Sequence, residues 1–250
     1  MIKSGKGIVT AYKLRQELDI PINARADLIK IANRLSIKIE YHDLGKGIEG
    51  ACKSDGLYRL IVLKRDTNNN NKERFTLAHE IGHLMIHHGP FLCNNDDFSM
   101  YRTNKSDERE ANDFAAELLI PSRACIDILE KADLKFSVIE QVSEQFGTSL
   151  AVAAIKLTQL FNDNAAVLWH DGRKVKWMAK SESCFLWIRS IIPDMSLAHR
   201  TSDSERRIRD HVDSDVWLEK AVENLLCEEE TYFFTGLENY LTILKFYHDN

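Results

Sequence analysis

The sequence predicts an α+β chain: a mainly helical first domain carrying a small N-terminal sheet, then a smaller strand-rich domain. Three observations predict it. Apolar residues recur at helical spacing across residues 11–37, 72–88 and 106–160. Between the first two of these, residues 37–64 change to short runs of Ile, Val, Leu and Tyr set between glycine-bearing turns, the pattern of strands. Beyond residue 165 the chain turns to aromatic and β-branched segments punctuated by an Asp-Gly pair. The domain boundaries expected are 1–162 and 163–250.

Taken in order, residues 11–37 read as helix broken near Pro21, with Leu28, Ile31 and Leu35 on one face. Ile37–Tyr41 and Leu57–Lys64 read as strands of the small sheet. Thr67–Asn71, with four consecutive asparagines, is a solvated loop, and Asn70 followed by Glu73 resembles a capping box that starts a helix over Lys72–His88. Leu77, Ile81 and Leu84 give that helix an apolar stripe, and Gly89-Pro90 stops it. After a polar loop, residues 106–120 form a second helix, with Ser106 as N-cap, acidic residues in the first turn and Pro121 at the end. Further helices are expected near 122–131 and 138–160, interrupted around Lys135-Phe136 and Gly147. Ala165–Trp169 and Arg173–Ala179 read as a hairpin closed by Asp171-Gly172 in a type I′ turn. Phe185–Ile192, Val216–Leu218 and Tyr232–Tyr247 are further strand-like segments.

Composition narrows the function classes. A chain of 250 residues with net charge −5 has no global basic field for non-specific nucleic-acid binding. Its five cysteines are odd in number, scattered and without a Cys-x-x-Cys pair, so they read as reduced core thiols. The N-terminal residues lack the apolar core of a signal peptide, and no apolar run approaches membrane-spanning length, which points to the cytoplasm.

The chemistry concentrates at His79-Glu80-Ile81-Gly82-His83, a His-Glu-x-x-His motif. Residues four apart lie on one helix face, so both imidazoles can reach one Zn²⁺ while Glu80, one step round, is placed to act as general base. The bland alternative is a pair of structural histidines, since nine histidines make a chance match affordable. Gly82 argues against it: a glycine costs about 1 kcal/mol in a helix interior relative to alanine, so something must approach that backbone closely.

A catalytic zinc needs three protein ligands and one open position. The metzincin spacing fails, because Ile86 and Gly89 stand where its glycine and third histidine would be. His87 lies on the same face as His83, but three ligands stacked along one straight helix cannot converge, so it reads as a flanking polar residue. A gluzincin arrangement draws its third ligand from a second helix, with an amide or carboxylate four residues later orienting a histidine. Glu108 and Asn112 fit those roles. Glu110 competes for the ligand position, its bland reading being a solvated glutamate that favours the helix N-terminus. Glu117 reads as a surface charge. Tyr101 and His88 are candidate oxyanion donors by residue type alone.

With these residues in view, the chain resembles the ImmA/IrrE metallopeptidases. Arg74–His87, RFTLAHEIGHLMIH, looks like that family's active-site helix, and Glu108–Pro121, EREANDFAAELLIP, looks like its second motif, in the same order. The resemblance spans roughly residues 25–160. It implies a zincin-like catalytic domain, Glu108 as third ligand, and site-specific cleavage of a protein partner, typically a helix-turn-helix repressor, to switch on mobile-element or stress-response genes.

Two other classes compete. The stretch Val142–Val152 resembles a helix-turn-helix with Gly147 at the turn, which would suit a DNA-binding regulator; its second helix carries little positive charge beyond Lys156, so DNA binding is not expected. The arginines at 200, 206, 207 and 209 are interleaved with acids and read as a solvated helix face. A zinc-stabilised binding module or toxin-antitoxin component without protease activity is the third class, disfavoured because a structural zinc has no use for Glu80. The tryptophans at 169, 177, 187 and 217 read as core, with a ligand-sensing cavity as the alternative.

Overall fold

The structure, a computed structural model, describes residues 5–55, 58–65, 70–87, 91–94, 106–201 and 204–248, with the backbone alone described at 91–94. It mixes helix and sheet as expected, and the chain divides into two compact units. One comprises residues 1–125 and 142–152, the other 126–141 and 153–250.

The first unit opens with α1 (Lys6–Glu17) and α2 (Leu28–Arg34). Asp27 caps α2 by accepting from the Lys30 backbone N–H at 3.1 Å. Four strands follow or interleave: β1 (Ile37–His42), β2 (Ile48–Ser54), β3 (Arg59–Lys64) and β4 (Phe91–Asn94), in the order β1-β3-β2-β4. β1 runs parallel to β3, and β2 runs antiparallel to both β3 and β4. Between β3 and β4 lies α3 (Asn70–Ile86), packed on β2 and β3, and α4 (Ser106–Leu119) packs on α3 and α1.

Two differences from expectation lie here. α3 begins at Asn70 rather than Lys72, so Asn70 is inside the helix and not its cap. β2 and β4 are strands that periodicity missed. β2 reads Ile-Glu-Gly-Ala-Cys-Lys-Ser, poor in β-formers, and holds its place because it pairs on both edges; β4 is only four residues.

α5 (Ser122–Leu129), α6 (Phe136–Phe146) and α7 (Leu150–Leu160) follow, with Gly147 at φ +62° between the last two. Residues 153–158 of α7 are all buried. The second unit holds a five-stranded antiparallel sheet, β6-β5-β9-β8-β7, from β5 (Asn164–His170), β6 (Val175–Lys180), β7 (Arg207–Asp213), β8 (Leu225–Phe234) and β9 (Asn239–His248). One turn of helix, α8 (Ser214–Trp217), and a short 3₁₀ turn at Leu197–Arg200 flank it.

The hairpin β5–β6 forms, but its connection is not a type I′ turn. His170 pairs with Val175, Asp171 has an ordinary negative φ, and its carboxylate accepts from the Arg173 and Lys174 backbone N–H groups while only Gly172 sits at positive φ. Arg207 and Arg209 lie on strand β7, not on a helix face, because each finds a carboxylate on the neighbouring strand: Arg207 with Glu230 at 2.6 Å and Arg209 with Glu228 at 2.6 Å. Trp217 is fully buried in the core of this unit with Leu168, Leu244 and Phe246, and Trp169 stacks on Trp177. Trp187 departs from the core reading, being 67% exposed. The described cysteines at 52, 125, 184 and 227 are buried.

Candidate metal centre

α3 and α4 cross closely enough to bring three side chains to one point. The Nε2 atoms of His79 and His83 are 3.0 Å apart, and Glu108 Oε2 lies 3.2 Å from the first and 3.3 Å from the second. All three residues are buried. Four ligands held tetrahedrally at about 2.0–2.1 Å from zinc are separated by about 3.3 Å, so the three atoms are spaced as three corners of such a shell. Tautomers point the same way. His79 Nδ1 is 2.9 Å from Asn112 Oδ1, which can only accept, so Nδ1 carries the proton and Nε2 presents a lone pair to the shared point. The donor set therefore fits a cation. Burial raises the Glu108 carboxyl pKa, but the adjacent imidazoles of His79 and His83 outweigh it and bring it down to about 2, so Glu108 is an anion.

Close approach of the two helices explains Gly82. A Cβ there would lie 2.9 Å from Phe114 Cδ1 and 3.3 Å from Ala111 Cα, both on α4. The neighbour required by that glycine is thus the helix that supplies Glu108. One consequence differs from the amphipathic picture: α3 is buried on every side from Phe75 to Leu84, so the histidines lie between helices instead of on an open face.

Glu80 is fully buried, and the residue that makes room for its carboxylate lies on β2. A Cβ on Gly50 would stand 2.6 Å from Glu80 Oε1 and 2.8 Å from Thr76 Cγ2. Gly50 also pairs with Cys93 of β4, so the strand beside the Glu80 carboxylate is the neighbour of the sheet's edge strand. Sequence reasoning missed Gly50; a glycine in the middle of a strand is the signal that would have found it.

Glu110 does not converge with the histidines. Its Oε2 lies 3.2 Å from His87 Nε2, and His87 Nδ1 lies 3.0 Å from His83 Nδ1. Burial, and then His83 beside it, lower the His87 pKa, favouring the neutral imidazole. Glu117 is no surface charge: it is buried, and its carboxylate accepts from the Ser122 backbone N–H at 3.0 Å and hydroxyl at 2.5 Å, capping α5. Arg15, also buried, donates to the Leu118 carbonyl at 2.6 Å at the end of α4. Arg74 anchors the start of α3 by donating to the Gly147 and Ala26 carbonyls at 2.9 and 3.0 Å. Tyr101 and His88 lie outside the described residues.

The model of the IrrE N-terminal-like domain, peptidase M78, matches residues 32–158, from α2 through both site helices to α7. The chain belongs to this family. The M78 match covers the sheet, the His-Glu-x-x-His helix and the Glu108 helix together, as the resemblance implied. No curated protein matches the chain significantly. Among solved structures, a Mycobacterium tuberculosis transcriptional regulator is similar in fold, with a TM-score of 0.56 at 13% identity over 95% of this chain and 75% of that one. Among the described residues, no helix is long and apolar enough to cross a membrane.

Proposed function

We propose that this M78-family chain is a cytoplasmic zinc endopeptidase that cleaves a partner helix-turn-helix repressor and so switches on mobile-element or stress-response genes. The observation that carries the metallopeptidase reading is the convergence of His79, His83 and Glu108 within 3.3 Å, with Glu80 next in sequence on the same helix. A zinc ion held by those three residues would supply Lewis acidity, polarising a carbonyl and acidifying water. Glu80 takes a proton from the attacking water and passes it to the leaving amine, a role suited to a carboxylate held in a dry site. Asn112 fixes the tautomer of His79.

A polypeptide substrate has a place to lie. β4 is the edge of its sheet and, among the described residues, pairs only with β2, so an extended peptide could add to its outer side by backbone hydrogen bonds. The repressor as partner rests on the family resemblance, and a fold neighbour described as a transcriptional regulator is in keeping with it. In this reading residues 1–162 are the peptidase domain with its trailing helices and 163–250 a regulatory domain.

The DNA-binding alternative is weakened by α7, whose residues 153–158 are buried and leave little face to lay in a groove. A zinc-stabilised module without activity has no use for a buried carboxylate beside the metal ligands.

Zinc content of the purified wild type, Glu108→Gln and Glu80→Gln tests the metal reading: the expected result is near-stoichiometric zinc in wild type and Glu80→Gln and its loss in Glu108→Gln. A wild type without zinc sinks it. For the substrate, new protein N-termini in cells producing wild type are compared with those in cells producing Glu80→Gln. Glu80-dependent cuts within helix-turn-helix proteins are expected, and their absence removes the repressor from the proposal.

A further inference from the structure

The two candidate metal histidines are braced differently. His79 leans on a neutral amide, Asn112, buried like itself. His83 leans on another imidazole. Its Nε2 faces His79 and Glu108, so Nδ1 is the nitrogen left to carry the proton, and the atom 3.0 Å from it is His87 Nδ1. Only one proton fits between those nitrogens. His83 therefore donates, His87 Nδ1 accepts, and the His87 proton must sit on Nε2. At 3.2 Å from that Nε2 is the Glu110 carboxylate, with Asp107 Oδ1 further off at 3.9 Å. Every hydrogen bond in the series Glu110, His87, His83 then runs in one sense, toward the carboxylate.

We propose that His87 and Glu110 form a positioning arm for the metal, acting through His83: the arm fixes the tautomer and ring orientation of His83 and makes its Nε2 a stronger donor. This rests on the reading of His79, His83 and Glu108 as metal ligands. Chain geometry favours it. His87 follows the last residue of α3, with its backbone N–H on the His83 carbonyl at 2.9 Å, so it sits one turn beyond His83 on the same face. Glu110 is on α4, two residues from both Glu108 and Asn112, so one helix contributes a ligand and braces both histidines. The His87 side chain is 7% exposed and that of Glu110 34%, so the arm leads from the buried site to the surface. A desolvated imidazole backed by a carboxylate is a better acceptor than water, and such partners typically change metal affinity by about 10–100-fold.

The test measures zinc affinity by chelator competition, and the visible spectrum after Co²⁺ substitution, for wild type and the variants His87→Leu, His87→Asn and Glu110→Gln. Asparagine places an oxygen where His87 Nδ1 lies and can accept from His83, but it does not reach Glu110; leucine fills the space without accepting. The expected results are a Kd raised about 10–100-fold in His87→Leu, a rise of only several-fold in Glu110→Gln, and a similar several-fold rise in His87→Asn to which Glu110→Gln adds nothing further. The Co²⁺ bands shift most in His87→Leu, and less and by like amounts in Glu110→Gln and His87→Asn. Equal loss in the leucine and asparagine variants assigns His87 to packing and overturns the arm, as does wild-type affinity in all three. Glu110 is partly exposed, so Glu110→Gln reports even where a His87 variant fails to fold. A wild type that binds no metal ends the metallopeptidase reading and the arm with it, whereas a wild type that binds zinc with unaffected variants ends only the arm.

Discussion

Replacing Gly82 by alanine sets two well-characterised effects against each other. In a helix interior the exchange alone stabilises by about 1 kcal/mol, because glycine loses more backbone freedom on folding. Here the added Cβ meets Phe114 Cδ1 at 2.9 Å, Phe114 Cγ at 3.2 Å and Ala111 Cα at 3.3 Å. Phe114 is fully buried and cannot swing away, and Ala111 Cα is backbone. Overpacking of this kind costs about 1–3 kcal/mol. The net is a loss of up to about 2 kcal/mol, and since 1 kcal/mol shifts Tm by about 2–4 °C in a chain of this size, Gly82→Ala should lower the apo-protein Tm by several degrees. Any relief must come from moving α4 outward, which carries Glu108 away from the histidines, so zinc affinity should fall as well. The assay is a calorimetric melt in chelator, followed by zinc competition. A Tm raised by 2–4 °C with unchanged zinc affinity, the result propensity alone gives, would refute the argument.

Gly50→Ala should leave zinc bound and lower kcat by at least about tenfold, because its Cβ displaces the Glu80 carboxylate; a normal kcat on any cleaved substrate would show that the strand yields instead. Glu117→Ala should destabilise by about 2–4 kcal/mol by leaving the Ser122 N–H and hydroxyl without their acceptor, and Glu117→Gln by less, since its amide oxygen still accepts; equal urea midpoints for the two variants would count against the capping role. In the second unit, His170 accepts from the Gly172 N–H through Nδ1 and faces the Thr242 hydroxyl through Nε2, and burial lowers its pKa to about 4. A histidine whose folded pKa lies below its unfolded value takes up its proton more readily when unfolded, so stability should be complete above pH 6.5 and fall by up to about 3 kcal/mol as pH drops to 4. Urea titrations across that range should show a shallower slope for His170→Gln, and an unchanged slope would remove His170 as the cause.

How legible the chain was depends on how local each feature is. The helix pair, the β1 and β3 strands and the β5–β6 hairpin could be read because their periodicity or turn residues lie within a dozen positions. His79, Glu80 and His83 were legible for the same reason, since i and i+4 share a helix face wherever the helix goes. Glu108 and Asn112 repeat that spacing, and the structure brings both to the histidines. Gly82 showed that a neighbour must come close without showing which.

Sequence by itself determined the catalytic-type motif, the two helices that carry its parts, and the order of a helical half before a strand-rich one. Tertiary structure alone decided that Gly50 clears space for Glu80, that Glu117 is a buried cap, that His87 turns to Glu110, and that β2 and β7 are strands at all. Each of these depends on a partner brought from elsewhere in the fold: Gly50 and Glu80 stand on different elements thirty positions apart, and β7 is a strand because β8 offers it carboxylates and a backbone edge. Propensity is worth tenths of a kcal/mol per residue, while a pairing edge or a buried hydrogen bond is worth about 1 kcal/mol or more, so where the two disagree the partner decides.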